Sequence, residues 1–263
     1  MSAHLIERQF QGIGARAKVR VDRARFGGNL SIDINNDEEG EFFELATGRT
    51  SNLRVLDSQP RLRHLLLMTQ QNDGKHKFLC EHDERQWFVA AVPELLSVST
   101  VRTAFESLKP VAVRQDEDRL RVKTRKPNRR RKEAFVRQGE WFFVPVPAWF
   151  RVDERIVLRK EPLRRGGGKP HVCEELVRMG GELVYVSPRH PNGLTATQYQ
   201  RLISRQPKLR TLGWVAQRRN PSVFVRGKVR HADHRTIVLK GWHRVLMNSE
   251  TEAVAMRHVA FID

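Results

Sequence analysis

The chain has 263 residues, of which 39% are hydrophobic and 30% are charged, and its mean hydropathy is -0.56. This composition supports a packed core and excludes a membrane-embedded protein. The first residues lack a basic segment followed by an apolar one, and the chain contains two cysteines. We therefore expect a reduced, cytoplasmic protein with neither a secretion signal nor a disulfide framework.

The net charge of +18 is concentrated in one part of the chain. Residues 1–110 contain 15 basic and 15 acidic residues, whereas residues 111–263 contain 33 basic and 15 acidic residues. A surplus of this size favours a polyanionic partner, in the first place nucleic acid, either DNA or RNA. A protein partner with an acidic surface is the alternative.

Most of the sequence has the alternation and turn residues of short strands. Strands are predicted at 17–22, 30–34, 87–92, 134–137, 141–146, 172–178, 183–186, 223–229 and 236–239, and a hairpin at 64–69 and 75–80. Helices are predicted at 99–108 and from Thr195, which begins a capping box with Gln198, to about 205. Residues 249–256 are the candidate for a third helix. The predicted fold class is α+β, mainly β, with short antiparallel strands and two or three helices.

Two local echoes, one of residues 40–43 at 139–142 and one of residues 74–81 at 168–174, suggest an internal duplication. Gly40-Glu41-Phe42-Phe43 is repeated as Gly139-Glu140-Trp141-Phe142, and the alternative is that this pattern marks the exit of a turn. Charge and composition divide the chain into a neutral, mainly-β domain at 1–112, a basic linker or loop at 113–133, and a basic α+β domain at 134–263.

Three basic segments are predicted to contact phosphates. Residues 119–132 contain nine basic residues and no acidic one, residues 183–232 contain ten and none, and a glycine-rich loop lies between 164 and 169. Tyr199 and Trp214 either pack in the core or stack on bases. The predicted nucleic-acid contacts are Arg119, Arg121, Lys123 and Arg125, which share one side if extended, with Arg129, Arg130, Arg131, Arg164, Arg165, Lys169, Arg201, Arg205, Arg218, Arg219, Arg226, Lys228 and Arg230.

Histidines and cysteines supply two further candidate sites. Cys80 with His82, and His171 with Cys173, have the spacing that places two side chains on one face of a strand, so the four are a candidate zinc site. The alternative is that both cysteines are small buried hydrophobes. His231, Asp233, His234 and His243 are a candidate catalytic centre for a divalent metal or general acid–base chemistry. The segment 82–85 is predicted as a hairpin turn or an acidic cluster.

Residues 76–89 and 227–234 resemble an uncharacterised family of bacterial proteins, and the likeness extends over most of the chain. No activity is assigned to that family, so the resemblance implies no functional residue. From the residues themselves we expect a nucleic-acid-binding protein that contacts the phosphate backbone through its arginine-rich C-terminal half, with weak sequence specificity. The alternatives are a metal-dependent nuclease or phosphodiesterase and a protein-interaction module that docks on acidic partners.

Overall fold

The structure is a computed structural model, and it describes residues 3–21, 30–48, 52–71, 74–83, 86–93, 97–121, 131–165 and 169–252. The helices are α1 (Ala3–Gly12), α2 (Val101–Leu108), α3 (Val111–Arg119) and α4 (Ala196–Arg205). The strands are β1 (Arg16–Val21), β2 (Leu30–Asp37), β3 (Gly40–Thr47), β4 (Asn52–Gln59), β5 (His64–Gln71), β6 (Gly74–Asp83), β7 (Gln86–Val92), β8 (Val136–Gln138), β9 (Trp141–Pro145), β10 (Leu158–Leu163), β11 (His171–Met179), β12 (Glu182–Ser187), β13 (His190–Thr195), β14 (Val215–Arg219), β15 (Ser222–Arg230) and β16 (Ile237–Met247).

The strands form four sheets. Two lie in the N-terminal half, with the orders β1-β3-β2 and β4-β5-β6-β7, and two in the C-terminal half, with the orders β10-β11-β15-β16-β9-β8 and β13-β12-β14. In the described residues only β1 and β3 pair in parallel. The prediction of an α+β, mainly β fold is confirmed, with four helices in place of two or three. None of the four sheets formed by the described residues crosses the predicted linker, while the division into domains and the duplication stay predictions.

The N-terminal core lies on both faces of the four-stranded sheet. One face packs on the sheet β1-β3-β2 and on α1 through residues such as Phe10, Phe43 and Phe78. The other face packs on α2, whose buried residues include Ala104 and Phe105. Alternate residues of a strand point to opposite faces, so β6 contributes to both clusters. Each fully buried aromatic or aliphatic side chain of this kind contributes roughly 1.5–3 kcal/mol to folding.

The six-stranded sheet has an inner face, defined here as the side of the buried residues Val225, Val229, Leu239 and Val245. Its opposite side, the outer face, carries the alternate residues of β15 and β16. Near β9 the outer face is covered by a cluster that contains Val113 of α3 and Phe135. Over the exposed parts of β15 and β16 it stays open, so basic side chains there are accessible.

The two helices that the sequence pattern did not predict are α1 and α3. Helix α3 begins after Pro110 and buries only Val113 and Glu117, which are four residues apart on one face. The start of the segment predicted as a linker is therefore helical. The predicted extended row is also wrong where it is described, because Arg119 ends α3 and Arg121 has a left-handed backbone with φ of 48°. The rest of that row, Lys123 and Arg125, lies outside the described residues.

A buried ion cluster joins α3 to the residues that precede and follow it. The Glu117 carboxylate accepts hydrogen bonds from Lys109 Nζ at 2.5 Å and from Lys132 Nζ at 2.6 Å. All three side chains are at most 8% exposed. Burial alone would raise the pKa of Glu117, but the hydrogen bonds and charges of the two lysines outweigh it and lower that pKa below its ordinary value.

Replacing Glu117 with glutamine is expected to lower the free energy of unfolding by about 3 kcal/mol at neutral pH, because two buried ammonium groups lose their shared counter-ion. Urea unfolding measures the change, and Asp118→Asn, at an exposed position on the same helix, should cost less than about 0.5 kcal/mol. A folded pKa that is lowered supplies stability that is lost as pH falls through it. The difference between wild type and Glu117→Gln should therefore shrink in acid, and equal stabilities at pH 7 would contradict the assignment.

Candidate metal centre and basic surfaces

Three histidines, His171, His231 and His234, meet at one end of the six-stranded sheet, and we call them the histidine triad. Their ring centroids are 4.3 Å apart for His171 and His231, 4.6 Å for His231 and His234, and 5.7 Å for His171 and His234. One ring nitrogen of each lies within 4.8 Å of those of the others. Three nitrogen ligands at this spacing could hold a metal ion.

The pairing of two distant strands creates the triad. Val172 of β11 is the register partner of Arg230 of β15, so His171 at the start of β11 lies beside His231, which directly follows β15. His234 comes from the short connection between β15 and β16. In that connection the backbone N–H of Asp233 donates to Nδ1 of His231 at 3.2 Å, which orients the first ring.

The outer nitrogen of His231 has the partner that metal-bound histidines usually have, and a carboxylate lies near the outer nitrogen of His234. The Nε2–H of His231 donates to the backbone carbonyl of Lys169 at 3.2 Å. Nδ1 of His234 lies 4.0 Å from Oδ2 of Asp83, a buried carboxylate at the end of β6. A carbonyl in this position fixes the tautomer and orientation of a histidine ligand, whereas the 4.0 Å to Asp83 exceeds a direct hydrogen bond. Nε2 of His234 and Nε2 of His171 both lie near Gly139, whereas Nδ1 of His231 accepts the backbone N–H of Asp233, a hydrogen bond that metal coordination would replace.

The space in front of the triad is kept open by Gly139. A Cβ added to this glycine would lie 3.2 Å from Nε2 of His234 and 3.8 Å from Nε2 of His171. Gly139 also has φ of 55°, in the left-handed region that favours glycine. Glycine is therefore favoured at position 139 both by its backbone conformation and by the nearby Nε2 atoms of His171 and His234.

His171 supplies an unsatisfied ligand atom. The residue is 2% exposed, and its Nε2 has no hydrogen-bond partner among the described residues. Burial, and then the neighbouring His231 and His234, lower the pKa of His171 to about 3. The imidazole is therefore neutral at pH 7, which is the form that binds a metal. A buried nitrogen without a partner costs about 1–3 kcal/mol, and a bound cation would offset that cost.

The predicted cysteine–histidine site is not assembled. Cys80 lies in the N-terminal core, whereas Cys173 lies in the inner-face cluster of the six-stranded sheet, and burial raises the pKa of both thiols, that of Cys173 to about 12. His82 packs edge-on against Trp87, with ring centroids 4.9 Å apart. Of the four predicted ligands, only His171 belongs to a group of metal-ligating side chains found in the described residues. Both cysteines are in the buried hydrophobic setting weighed as their alternative.

The predicted catalytic set is brought together in part. His231 and His234 belong to the triad, and the Asp233 carboxylate lies 4.0 Å from Nδ1 of His231 and 2.9 Å from Lys169 Nζ. His243 is apart from them on β16, where its Nδ1 and the Gly241 carbonyl oxygen are 2.7 Å apart and burial lowers its pKa. Sequence reasoning missed Asp83 and Gly139 as neighbours of the histidines, because neither residue type signals a metal site at an isolated position.

The basic residues of the six-stranded sheet differ in whether they already form ion pairs. Lys228 and Arg230 on β15 are exposed on the outer face, while Arg226 binds Glu175 at 2.5 Å and Glu154 at 3.2 Å. Two further cations on the outer face that the sequence prediction omitted are Lys240 and Arg244 on β16. The alternation predicted for β15 therefore holds, but one of its three cations is already paired.

The segment 182–219, which we call the small basic unit, contains seven basic residues and one acidic residue. Arg201 and Arg205 are exposed on α4, whose predicted capping box by Thr195 and Gln198 is confirmed. Tyr199 stacks on Tyr185 with ring centroids 4.3 Å apart and contacts Trp214 edge-on, so these aromatics pack the helix on its sheet. Arg218 donates to the carbonyls of Gly180 and Gly181, and Arg219 pairs with Glu182.

Of the remaining residues predicted to contact nucleic acid, some form ion pairs, some are exposed and some lie outside the described residues. Arg165 pairs with Glu250, Lys169 with Asp233 and Arg119 with Asp116. Exposed positions are those of Arg121, Arg131 and Arg164. Residues 122–130, which include Lys123, Arg125, Arg129 and Arg130, lie outside the described part of the chain.

Comparison with known proteins gives no relative: no protein family, no curated protein and no solved structure matches this chain. The resemblance to an uncharacterised bacterial family therefore stays a prediction. None of the helices in the described residues is long and apolar enough to cross a membrane.

Proposed function

We propose that this protein binds nucleic acid through phosphate contacts made by the basic C-terminal half, and that a divalent metal ion held by the histidine triad fixes part of that half. The observation that carries the first part is the position of the charge. Residues 183–232 contain no acidic residue, and their cations at positions 201, 205, 208, 210, 228 and 230 are exposed. Exposed arginine and lysine side chains release condensed counter-ions when they neutralise phosphates, which gives affinity with little sequence preference.

The metal proposal rests on the donor set. Three imidazole nitrogens, with a carbonyl and a carboxylate behind two of them, suit zinc better than magnesium or calcium, which prefer oxygen ligands. The carboxylate of Asp233 lies 4.0 Å from Nδ1 of His231 but binds Lys169, and it is not grouped with the three ring nitrogens. The triad side chains are nearly buried, so a bound ion would restrain the connection that carries His231 and His234. Elemental analysis of the purified protein after incubation with zinc should find about one equivalent, and none would contradict the proposal.

A metal-dependent nuclease is the second candidate, favoured by the pair Asp233 and Lys169 beside His231. An assay of labelled DNA and RNA with zinc, magnesium or manganese separates the two functions. The nuclease requires cleavage that is removed by a chelator and by His231→Ala. The binding function requires intact oligonucleotides in the complex.

Binding of labelled oligonucleotides across a salt series tests the main proposal. We expect the logarithm of the association constant to fall linearly with the logarithm of salt concentration, by about 0.7 per phosphate contact for single strands and about 0.9 for duplexes. The full-length protein is used with zinc present. No binding at low salt, or an affinity that does not change with salt, would exclude phosphate recognition. Retention of one acidic protein after nuclease treatment would favour the protein-interaction alternative.

A further inference from the structure

We infer that the outer face of the six-stranded sheet binds single-stranded nucleic acid, with Trp149 stacking on a base and the cations of β15 and β16 contacting phosphates. This inference rests on the proposed nucleic-acid function and names its surface and its substrate class. It involves the same sheet as the histidine triad but a different face, the side opposite the inner-face core.

The outer face presents two parallel rows of side chains. On β15 the alternate residues Phe224, Arg226, Lys228 and Arg230 point outward, because Val223, Val225 and Val229 belong to the inner-face core. On β16 the same alternation turns Val238, Lys240, Trp242 and Arg244 outward. The register places Lys228 beside Val238 and Phe224 beside Arg244.

Charge on this surface is predominantly positive, and the acids Glu154 and Glu175 are both bound to Arg226. Lys228, Arg230, Lys240 and Arg244 are all exposed. The exposed acid on the neighbouring strand, Glu174, is tied to the backbone, because its Oε2 accepts the N–H of Lys228 at 2.7 Å. Four cations spread along about 20 Å of strand, at about 3.3 Å per residue, match a row of phosphates rather than one isolated anion.

An exposed tryptophan adjoins the rows. Trp149 is 76% exposed, in the segment that follows β9. Its neighbour Phe150 packs on Phe224, with ring centroids 4.7 Å apart, which fixes this segment at the Phe224 end of the outer face. A further aromatic ring on the face, that of Trp242, lies 4.7 Å beneath the guanidinium of Arg226. Large aromatic rings are usually buried, so a tryptophan left in water beside cations is suited to stack on a ligand ring.

The combination of an exposed tryptophan with a row of cations favours single strands over duplexes. In a duplex the faces of the bases are stacked on one another, whereas an unpaired strand can place a base on Trp149 while its phosphates follow the cations. The surface is a sheet face rather than a helix that enters a groove. Because stacking tolerates every base, we expect weak sequence preference.

The test compares a labelled single strand of about 12 nucleotides with a duplex of the same length, using full-length protein with zinc and fluorescence anisotropy. Trp149→Ala is expected to weaken single-strand binding about tenfold, and Trp149→Phe, which keeps a stacking ring, much less. Ile156→Ala, at another exposed apolar position of the same segment, is the matched control and should change affinity less than about twofold. Binding should quench tryptophan fluorescence in wild type more than in Trp149→Phe.

The other outcomes distinguish a failure of this inference from a failure of the proposed function. Salt-dependent binding that prefers the duplex, or that is unchanged in Trp149→Ala, overturns this inference and leaves the proposed function standing. No binding of either oligonucleotide at low salt overturns both. Equal competition by polyglutamate at matched charge concentration assigns the surface to acidic protein and overturns the single-strand assignment.

Discussion

Replacing His231 and His234 together with alanine is expected to weaken zinc binding by at least about 100-fold, because two of the three nitrogen ligands are removed. Zinc at about 100 times its Kd should add about 2.7 kcal/mol to the free energy of unfolding of wild type and nothing measurable to the variant. Denaturant unfolding with and without zinc measures this increment. The increment, rather than absolute stability, is the readout, since removing buried rings destabilises the zinc-free fold as well.

Two milder variants test the geometry without removing a ligand. Gly139→Ala places a methyl group 3.2 Å from Nε2 of His234, and Asp83→Asn removes the charge behind that ring. Both should lower zinc affinity, Asp83→Asn by about 10- to 100-fold. His243→Gln, a change to a buried histidine outside the triad, is the control and should leave the zinc increment intact. An increment equal to that of wild type in the double-alanine variant would contradict the site.

Replacing Lys228, Arg230, Lys240 and Arg244 together with glutamine is expected to reduce the salt dependence of single-strand binding by about 3 in the log–log slope, at about 0.7 per lost phosphate contact. Near 0.1 M salt the affinity should fall on the order of 100-fold. All four side chains are exposed, so the free energy of unfolding should change little. Anisotropy titrations at several salt concentrations give both quantities.

Two other quadruple-glutamine variants control for net charge. Arg8, Arg61, Lys75 and Arg102 are exposed in the neutral N-terminal half, and their replacement removes the same charge with little expected loss of binding. Arg201, Arg205, Lys208 and Arg210 belong to the small basic unit. If that variant, and not the outer-face variant, loses binding, the interface lies on α4 and its following segment. Equal losses in all three variants would mean that only total charge matters.

The two proposed sites are linked through one connection of the chain. Arg230 is the last residue of β15 and His231 follows it directly, while Ile237 begins β16 after His234. A metal ion on His231 and His234 would restrain the connection from which the cations of both strands extend. Lys228 and Arg230 of β15 point outward close to that connection. If the metal ion orders the connection in advance, less conformational entropy is lost when these side chains bind a ligand.

Local structure could be predicted from the sequence where the residues that determine it, such as a turn or a helix cap, lie within one short segment. The hairpin of β5 and β6 follows from two β-like runs on either side of the sequence Asn72-Asp73-Gly74, and the capping box at Thr195 marks the start of α4. Helix α3 was missed because it has only one buried apolar residue, Val113, and its other buried residue is a glutamate. The partners that stabilise Glu117 in the core, Lys109 and Lys132, lie outside that helix.

The charge map is the feature that the sequence by itself determined: a neutral N-terminal half, an acid-free region at 183–232, and histidines three residues apart at 231 and 234. Only the tertiary structure decided which of these charges stay accessible, since Arg226 is paired with Glu175 while Lys228 and Arg230 are exposed. It also decided the members of the triad. The antiparallel register of β11 with β15 brings together residues about 60 positions apart, and no local pattern encodes that pairing.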